Sequence, residues 1–374
     1  MSQINVRNIS NENNDGGPDI VGVSTFSATS YIVPPVGNTQ QRPENPEAGS
    51  IRFNTDIKSL EYFKGDTLNW EQIQMTSPDL DGGARGIIAG GTPGSHYNVI
   101  GYFTISTTGN ETDFGDLTDA RRALGSVASR SRAVMAGGIT PADAWINTID
   151  YITISSTGNA TDFGDTTTVT GRWSGVCNQT RGVYGNMNVP AGYVNTLEYI
   201  AIAQTGNSVD FGDTTTARSG AASGSNGIRG VWAGGWTPTI VNTIDYITIS
   251  TTGNSADFGD LTIPQGNAAR NLSSNPTRML IMGGSTGSPS ADTNNIDYIT
   301  IATTGNGVAF GDLTAATGSP SAMFSSTRGL CAHKAPSTVV DYVEILTTGN
   351  SVDFGDMANA ASDASGFSNA HGGL

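Results

Sequence analysis

The sequence is poor in lysine and in charge of either sign. Only three of its 374 residues are lysines (Lys58, Lys64 and Lys334), charged residues make up 14%, and the formal net charge is −15. A surface of this sign repels phosphates, so the composition argues against nucleic acid as a partner. The carboxylates are spread along the chain and form no calcium-loop pattern.

Cysteine and histidine are equally scarce. Cys177 and Cys331 are too few and too far apart for a disulfide framework, so we expect two buried free thiols. His96, His333 and His371 stand apart from one another, and no Walker-type loop, His-Glu-x-x-His motif or close Cys/His set occurs. We therefore expect a protein without catalytic residues, metal or cofactor.

Long hydrophobic runs are absent as well. No stretch approaches the roughly 18 apolar residues of a membrane span. The first five residues, Met-Ser-Gln-Ile-Asn, carry no charged and then apolar signal. The expectation is a soluble protein made in a cytoplasm and not inserted in a membrane.

Glycine is abundant, with 49 residues, and one phrase that contains it returns six times. Its fullest copy runs from Asn147 to Asp165 and includes Ile-Asp-Tyr-Ile-Thr-Ile, Thr-Gly-Asn and Asp-Phe-Gly-Asp. An arginine followed by an apolar run, usually with Gly-Gly, precedes each copy. The Gly-Asn glycines are Gly109, Gly158, Gly206, Gly253, Gly305 and Gly349, and the arginines are Arg85, Arg132, Arg181, Arg229, Arg278 and Arg328. The spacing of 44 to 52 residues is typical of a β-propeller blade.

Alternation and turn residues divide each repeat into four strands. In the fourth repeat we predict them within residues 217–227, 229–233, 243–250 and 255–262, with Thr-Gly-Asn forming a tight hairpin turn. The first repeat lacks the small-residue strand, and a similar segment follows the last Phe-Gly-Asp. The sequence thus predicts an all-β fold, a six-bladed propeller over residues 84–374, which the C-terminal strand closes by pairing with residues 85–91.

Three sixfold sets of side chains recur in these repeats. The phenylalanines of Phe-Gly-Asp are predicted to be core residues. The aspartates of the same triplet are expected to accept hydrogen bonds from turn amides or from the recurring arginine, with cation binding as the alternative. The arginines are expected in structural pairs, with a cationic ring around the axis as the alternative.

The repeats resemble the kelch family. The similarity lies in the period of about 50 residues, the Gly-Gly at the end of the second strand, the tyrosine of the third, and Arg121 and Arg218 between fourth and first strands. Phe-Gly-Asp stands where kelch repeats commonly carry a tryptophan, so "kelch-like" is the fitting description. The resemblance covers residues 84–374.

Residues 49–76 form a separate segment, predicted to be a small three-stranded β-meander. Its core, residues 49–73, resembles a module of tailed-bacteriophage fibre and particle proteins, and the repeats are similar to proteins of marine cyanobacterial viruses. The resemblance implies a virion location. Residues 1–48 are expected to be an extended arm that attaches to other virion proteins through the apolar residues Ile20, Val21, Val23, Phe26, Tyr31, Ile32 and Val33.

The loops after Gly-Gly vary most among the repeats and carry aromatic residues. We predict a binding rim at His96, Tyr97, Trp145, Tyr193 and Trp236, suited to a host-surface glycan or a protein receptor. Simple rim packing is the alternative role for them. The function expected is a virion structural protein, as fibre, appendage or capsid decoration. A secreted lectin-like propeller and an intracellular kelch adaptor are the alternatives, and self-association into a homo-oligomer stays open.

Overall fold

The computed structural model describes residues 34–56, 59–65, 68–72, 84–92, 97–287 and 289–374. Contacts divide the chain into two compact units, residues 1–76 and 77–374. Within the described ranges the regular elements are strands and one short 3₁₀ helix. None of these elements is a helix with the length and apolar character of a membrane span.

The first unit contains a four-stranded sheet. Its elements are β1 (Val36–Gly37), a 3₁₀ helix (Thr39–Gln41), β2 (Ile51–Asn54), β3 (Ser59–Gly65) and β4 (Leu68–Gln72). Strands β2, β3 and β4 pair antiparallel as a meander, whereas β1 adds parallel to β2. The sheet therefore begins within the stretch predicted as an extended arm. The seven apolar attachment residues of that arm, Ile20 to Val33, lie outside the described residues.

The second unit is built from the repeats. Its strands are β5 (Arg85–Ala89), β6 (Val99–Thr104), β7 (Thr112–Asp116), β8 (Gly125–Ala128), β9 (Arg132–Ile139), β10 (Trp145–Thr153), β11 (Thr161–Thr170), β12 (Ser174–Cys177), β13 (Arg181–Gly185), β14 (Met187–Val189), β15 (Gly192–Val194), β16 (Thr196–Ala201), β17 (Val209–Asp213), β18 (Ala222–Ser225), β19 (Arg229–Ala233), β20 (Thr243–Thr248), β21 (Ala256–Asp260), β22 (Arg278–Met282), β23 (Ser285–Thr286), β24 (Ala291–Thr300), β25 (Val308–Thr317), β26 (Ser321–Phe324), β27 (Arg328–Ala332), β28 (Val339–Glu344), β29 (Val352–Asp356) and β30 (Ser365–Ser368).

These strands form four-stranded antiparallel sheets. The strand orders are β30-β5-β6-β7, β8-β9-β10-β11, β12-β13-β16-β17, β18-β19-β20-β21 and β26-β27-β28-β29, while β24 of the fifth repeat pairs with β22, β23 and β25. The all-β prediction is confirmed. In the first sheet β30 pairs with β5, with Phe367 opposite Ile87, so the C-terminal tail supplies the strand that the first repeat lacks.

The Phe-Gly-Asp triplets join neighbouring repeats through the backbone. Two amides of each repeat donate to the Phe and Asp carbonyls of the repeat before it, over 2.7–3.0 Å. The donors and acceptors are Gly158 and Ala160 to Phe114 and Asp116, Gly206 and Ser208 to Phe163 and Asp165, Gly253 and Ser255 to Phe211 and Asp213, Gly305 and Gly307 to Phe258 and Asp260, Gly349 and Ser351 to Phe310 and Asp312, and Gly109 and Glu111 to Phe354 and Asp356.

The central glycine of the triplet is required by this close approach. Gly115 has φ of +150°, and a Cβ there would lie 2.4 Å from the Gly158 carbonyl oxygen. The preceding phenylalanines are only 2–4% exposed, which confirms the prediction that they are core residues. Each one packs edge-on against the tyrosine of the third strand of its own sheet, with ring centroids 5.8–6.2 Å apart.

The recurring arginines are structural. Each guanidinium lies 4.4–4.9 Å from the centroid of that same tyrosine ring. It also donates to a backbone carbonyl of another repeat over 2.9–3.2 Å, as Arg85 does to Ile154 and Arg328 does to Ser106. The interpretation as structural pairs is correct, but the partners are a ring and a carbonyl, not the aspartate of Phe-Gly-Asp.

A different carboxylate takes the role that was assigned to Phe-Gly-Asp. The acidic residue in the third strand, such as Asp150, is fully buried and accepts a hydrogen bond from Thr118 of the preceding repeat at 2.8 Å. The same link joins Thr167 to Glu198, Thr215 to Asp245, Thr262 to Asp297 and Thr314 to Asp341. The Phe-Gly-Asp carboxylates are partly or fully exposed instead. The prediction for them was wrong, because these carboxylates face solvent and do not accept from turn amides or from the recurring arginines among the described residues. Asp356 accepts instead from the Thr338 hydroxyl at 2.9 Å.

The first repeat lacks a buried acidic residue in its third strand. Gly101 stands at the position of the third-strand acid, and Glu111 fills the space, because a Cβ at Gly101 would lie 1.6 Å from Glu111 Oε1. Glu111 Oε2 accepts from the Ala358 amide at 2.7 Å. Burial, with a smaller contribution from Asp113, raises the pKa of Glu111 despite that hydrogen bond.

This raised pKa gives a pH-dependent prediction. Because Glu111 binds its proton more tightly in the folded state, its contribution to stability is present at acidic pH and is lost as pH rises through the folded pKa. We expect Glu111→Gln, which keeps an acceptor without a charge, to be more stable than wild type at pH 7 by roughly 0.5–1 kcal/mol. The two proteins should converge at acidic pH. Urea unfolding at both pH values tests this, and a constant difference would contradict it.

Candidate functional site

The loops that follow Gly-Gly are attached to the frame by short two-residue bridges. Ile139 exchanges backbone hydrogen bonds with Arg122, Asn188 with Gly171, and Trp236 with Ser219, at 2.8–3.0 Å. The partner in each case lies just before the first strand of a sheet. These bridges bring the loops of the second, third and fourth repeats towards one another over the same surface.

An open depression of about 440 Å³ lies between these loops. Its lining residues are Arg122, Ile139, Trp145, Arg172, Asn188, Tyr193, Ser219, Trp236 and Asn267. Three aromatic rings, two guanidinium groups and three short polar side chains thus surround one concave surface. Rings of this kind pack on the faces of sugars, and the polar groups supply directional hydrogen bonds.

The structure brings together three of the five residues predicted for the rim. Trp145 begins β10, Tyr193 lies at the centre of β15 with 38% of its surface exposed, and Trp236 follows Gly234-Gly235. Tyr97 lies elsewhere, against a small cavity of about 20 Å³ that Glu111 also lines. His96 falls outside the described residues.

Arg172 and Asn267, which line the depression, belong to a set of six equivalent positions. We call these the entry positions: Ala123, Arg172, Gly220, Asn267, Ser319 and Asp363. All but Asn267 lie two residues before a small-residue strand (β8, β12, β18, β26 or β30). All six have a left-handed backbone, with φ between +48° and +65°. Hydrogen bonds of 2.6–3.0 Å connect neighbours among them, from the amides of Ala123, Arg172, Asn267 and Ser319 to the carbonyls of Asp363, Ala123, Gly220 and Asn267.

Arginines dominate the charge around the entry positions. The Asp363 carboxylate pairs with Arg270 at 2.8 Å and with Arg122 at 3.6 Å. Burial opposes its ionisation, but the charges of Arg270, Arg172 and Arg122 outweigh burial and hold the pKa of Asp363 below its usual value. Three cations therefore share one buried anion. No aspartate or glutamate among the described residues lines the depression.

The cysteines and the remaining histidines take no part in this site. Cys177 and Cys331 are buried free thiols, as predicted, and burial raises the pKa of both, to about 12 for Cys177. His371 is buried beside Cys177, with Nε2 2.9 Å from the Ala128 carbonyl oxygen, while His333 pairs with Asp341. The described residues contain no cluster of three or more His, Cys, Asp or Glu that could hold a metal ion.

Sequence reasoning missed the polar half of the site. It predicted the aromatic residues of the loops but not Arg122, Arg172, Asn188 or Asn267. The position of Arg172 gave only a weak signal: glycine and asparagine tolerate a left-handed backbone, and two other repeats carry Gly220 and Asn267 there. The signal does not single out Arg172, because Ala123, Ser319 and Asp363 hold the same conformation.

A scan against protein-family models and a search of curated proteins find no match to the chain. The chemistry of the depression is therefore inferred from its own residues: three aromatic rings, the side-chain amides of Asn188 and Asn267, and an excess of positive charge.

Proposed function

We propose that residues 84–374 form a six-bladed kelch-like β-propeller, closed where β30 pairs with β5. Two observations support it. The repeated backbone links run from each repeat to the next and also from the sixth repeat to the first, through Gly109 and Phe354. The small-residue strands β8, β12, β18, β26 and β30 are buried throughout, as strands around a crowded axis must be.

We further propose that the protein is a virion structural protein of a tailed bacteriophage, as a fibre, appendage or capsid decoration. The arm of residues 1–48 would attach it to other virion proteins, and the propeller would face outward. The resemblance of residues 49–73 to a phage module supports this role, as does the division into two compact units. A structural protein also suits a sixfold repeated frame in which the recurring side chains hold neighbouring repeats together.

The displayed propeller binds a host-surface glycan or protein through the depression. The observation that carries this proposal is the convergence of Trp145, Tyr193 and Trp236 on one concave surface. These residues come from three different repeats, and the aromatic residue stands at a different place in each loop. Aromatic residues clustered in a concavity account for much of the affinity in known binding surfaces.

Replacement of the two tryptophans tests the binding role. We expect Trp145→Ala combined with Trp236→Ala to weaken binding to host cells or immobilised host-surface glycan by about tenfold or more, because about 1.4 kcal/mol of lost contact corresponds to a factor of ten. Flow cytometry with the labelled protein measures it. Tyr97→Ala is the matched control, since this aromatic residue follows Gly-Gly but does not line the depression. Equal binding by the double variant and wild type would remove the hypothesis.

Location separates the virion role from a stand-alone secreted lectin or an intracellular kelch adaptor. A labelled antibody against residues 84–374 should decorate intact purified phage particles at one structural position. Failure to label particles from a lysate that contains the protein would refute the virion role. It would not affect the proposal that the depression binds a ligand.

A further inference from the structure

Arg172 occupies a position that its backbone disfavours. Its φ of +58° is left-handed, and this conformation disfavours an L-residue with a Cβ by roughly 1–2 kcal/mol. The equivalent positions in the next two repeats hold Gly220 and Asn267, which tolerate it. Ala123, Ser319 and Asp363 hold the same conformation at the other equivalent positions, so the backbone strain is not particular to Arg172. What distinguishes Arg172 among the six is a long cationic side chain that lines the depression.

The Arg172 side chain adds to the positive charge around Asp363 but does not pair with it directly. Its amide donates to the Ala123 carbonyl at 2.6 Å, but its guanidinium makes no hydrogen bond or ion pair with any residue that the structure describes. It lines the depression together with the three aromatic residues. A guanidinium has five donors in a planar fork, which matches a carboxylate or a sulfate ester.

The carboxylates near this wall of the depression are paired with arginines other than Arg172. Arg122 lies on the same wall, 3.6 Å from the buried Asp363, which Arg270 also holds at 2.8 Å. Asp143 lies 3.8 Å from Arg122, but its side chain is 84% exposed, so solvent screens that pair. In a chain with a net charge of −15, the depression is thus lined by two arginines and by no described carboxylate.

We propose that the depression binds an anionic saccharide, with sugar faces on Trp145 and Trp236 and the acidic group on Arg172. This inference rests on the proposed glycan-binding function and assigns its ligand class. The aromatic rings supply contact that is insensitive to salt, whereas Arg172 selects for the anion. Two kinds of glycan share the required chemistry: those with a carboxylate, such as uronic acids, and those with a sulfate ester.

A glycan array with neutral, uronate-bearing, sialate-bearing and sulfated saccharides identifies the class. Titration of trigalacturonic acid against its fully methyl-esterified form then compares one backbone with and without charge, and a sulfated galactan oligosaccharide tests the other anion. We expect an anionic saccharide to bind best and to weaken as salt is raised. The stronger of the two anionic probes identifies the acidic group.

Variants of Arg172 separate binding from folding. Arg172→Asn should lower affinity for the anionic ligand about tenfold while its melting temperature stays equal or rises, because asparagine tolerates the left-handed backbone. Arg172→Lys should retain part of the affinity. Arg130→Asn removes the same charge from a residue that does not line the depression, and it should bind like wild type.

The possible failures are distinguishable. If neutral saccharides bind as well as anionic ones and Arg172→Asn has no effect, while the tryptophan variants do lose binding, the ligand class assigned here is wrong and the glycan-binding function stands. If no saccharide on the array binds, both the ligand class and the glycan-binding function fail.

Discussion

Deletion of residues 358–374 is expected to abolish cooperative folding of the repeat unit. The deletion removes β30, which pairs with β5 from Ser365 opposite Ala89 to Ser368 opposite Gly86. It also removes Phe367, which is fully buried, and loss of one buried phenylalanine side chain alone corresponds to about 3–5 kcal/mol. A domain of this kind is stable by only about 5–15 kcal/mol in total. Circular dichroism and a thermal melt measure the outcome.

Two control experiments show whether loss of the β30 strand is the cause of unfolding. Phe367→Ala retains the strand, so it should lower the melting temperature yet preserve a single cooperative transition. A synthetic peptide of residues 358–374, added to the truncated chain, should restore the transition, since the strand is then supplied in trans. A truncated chain that melts like wild type would refute the claim that the tail completes the first sheet and closes the ring.

Asp150→Ala is the second change with a large expected effect. Asp150 and Arg121 form an ion pair at 3.0 Å with both side chains fully buried, and two other nitrogens of Arg121 have no hydrogen-bond partner among the described residues. Removal of the carboxylate leaves a cation in an apolar interior. We expect a loss of about 3–5 kcal/mol in the free energy of unfolding, measured by urea denaturation.

Two further variants show whether the unpaired charge is the cause. Asp113→Ala removes an exposed aspartate from β7 and should change stability by less than about 0.5 kcal/mol. Arg121→Met combined with Asp150→Leu removes both charges and should recover most of the lost stability, because a buried ion pair is commonly replaceable by apolar residues. Equal destabilisation by the single and double variants would show that packing, rather than charge, is responsible.

The strands of the second unit could be predicted from sequence because their signals are local. The arginine that starts each second strand, the Ile-Asp-Tyr alternation and the Thr-Gly-Asn triplet lie within about 35 residues of one another. The tight hairpin turn predicted at that triplet was wrong, because residues 249–255 separate β20 from β21 in the fourth repeat. Predicted residues 229–233 are β19 itself, and predicted residues 243–250 contain β20. Even the displaced strand of the C-terminal tail was recognisable from composition and from its place after the sixth Phe-Gly-Asp.

The buried carboxylates could not be predicted in the same way. Asp150 sits between apolar neighbours in a strand, and its partner Thr118 belongs to another repeat, 32 residues away. Asp150 and Thr118 come together only because adjacent sheets pack against each other. The Phe-Gly-Asp carboxylates recur more visibly in the sequence, but their neighbours leave them open to solvent. Glu111 is harder still, since it substitutes in space for an acid that is missing at Gly101.

The residues of the candidate site likewise fall into two groups, those that local sequence predicted and those that it did not. Trp145, Tyr193 and Trp236 were found because aromatic residues in variable loops are conspicuous. Arg172 and Asn267 were missed because they belong to the entry positions, whose neighbours in the chain reach the loops only through bridges such as that between Gly171 and Asn188. Local sequence reveals what each loop carries. The neighbours of a loop depend on how the sheets are arranged.

The pairing of β30 with β5 also determines when folding can finish. These two adjacent strands are separated by more than 270 residues of chain. During synthesis, β5 emerges from the ribosome early, and one edge of it stays unsatisfied until nearly the whole polypeptide has been made. An open strand edge is a template for misassociation with other chains. The later repeats can therefore form their sheets first, and the first sheet, although earliest in sequence, is completed last.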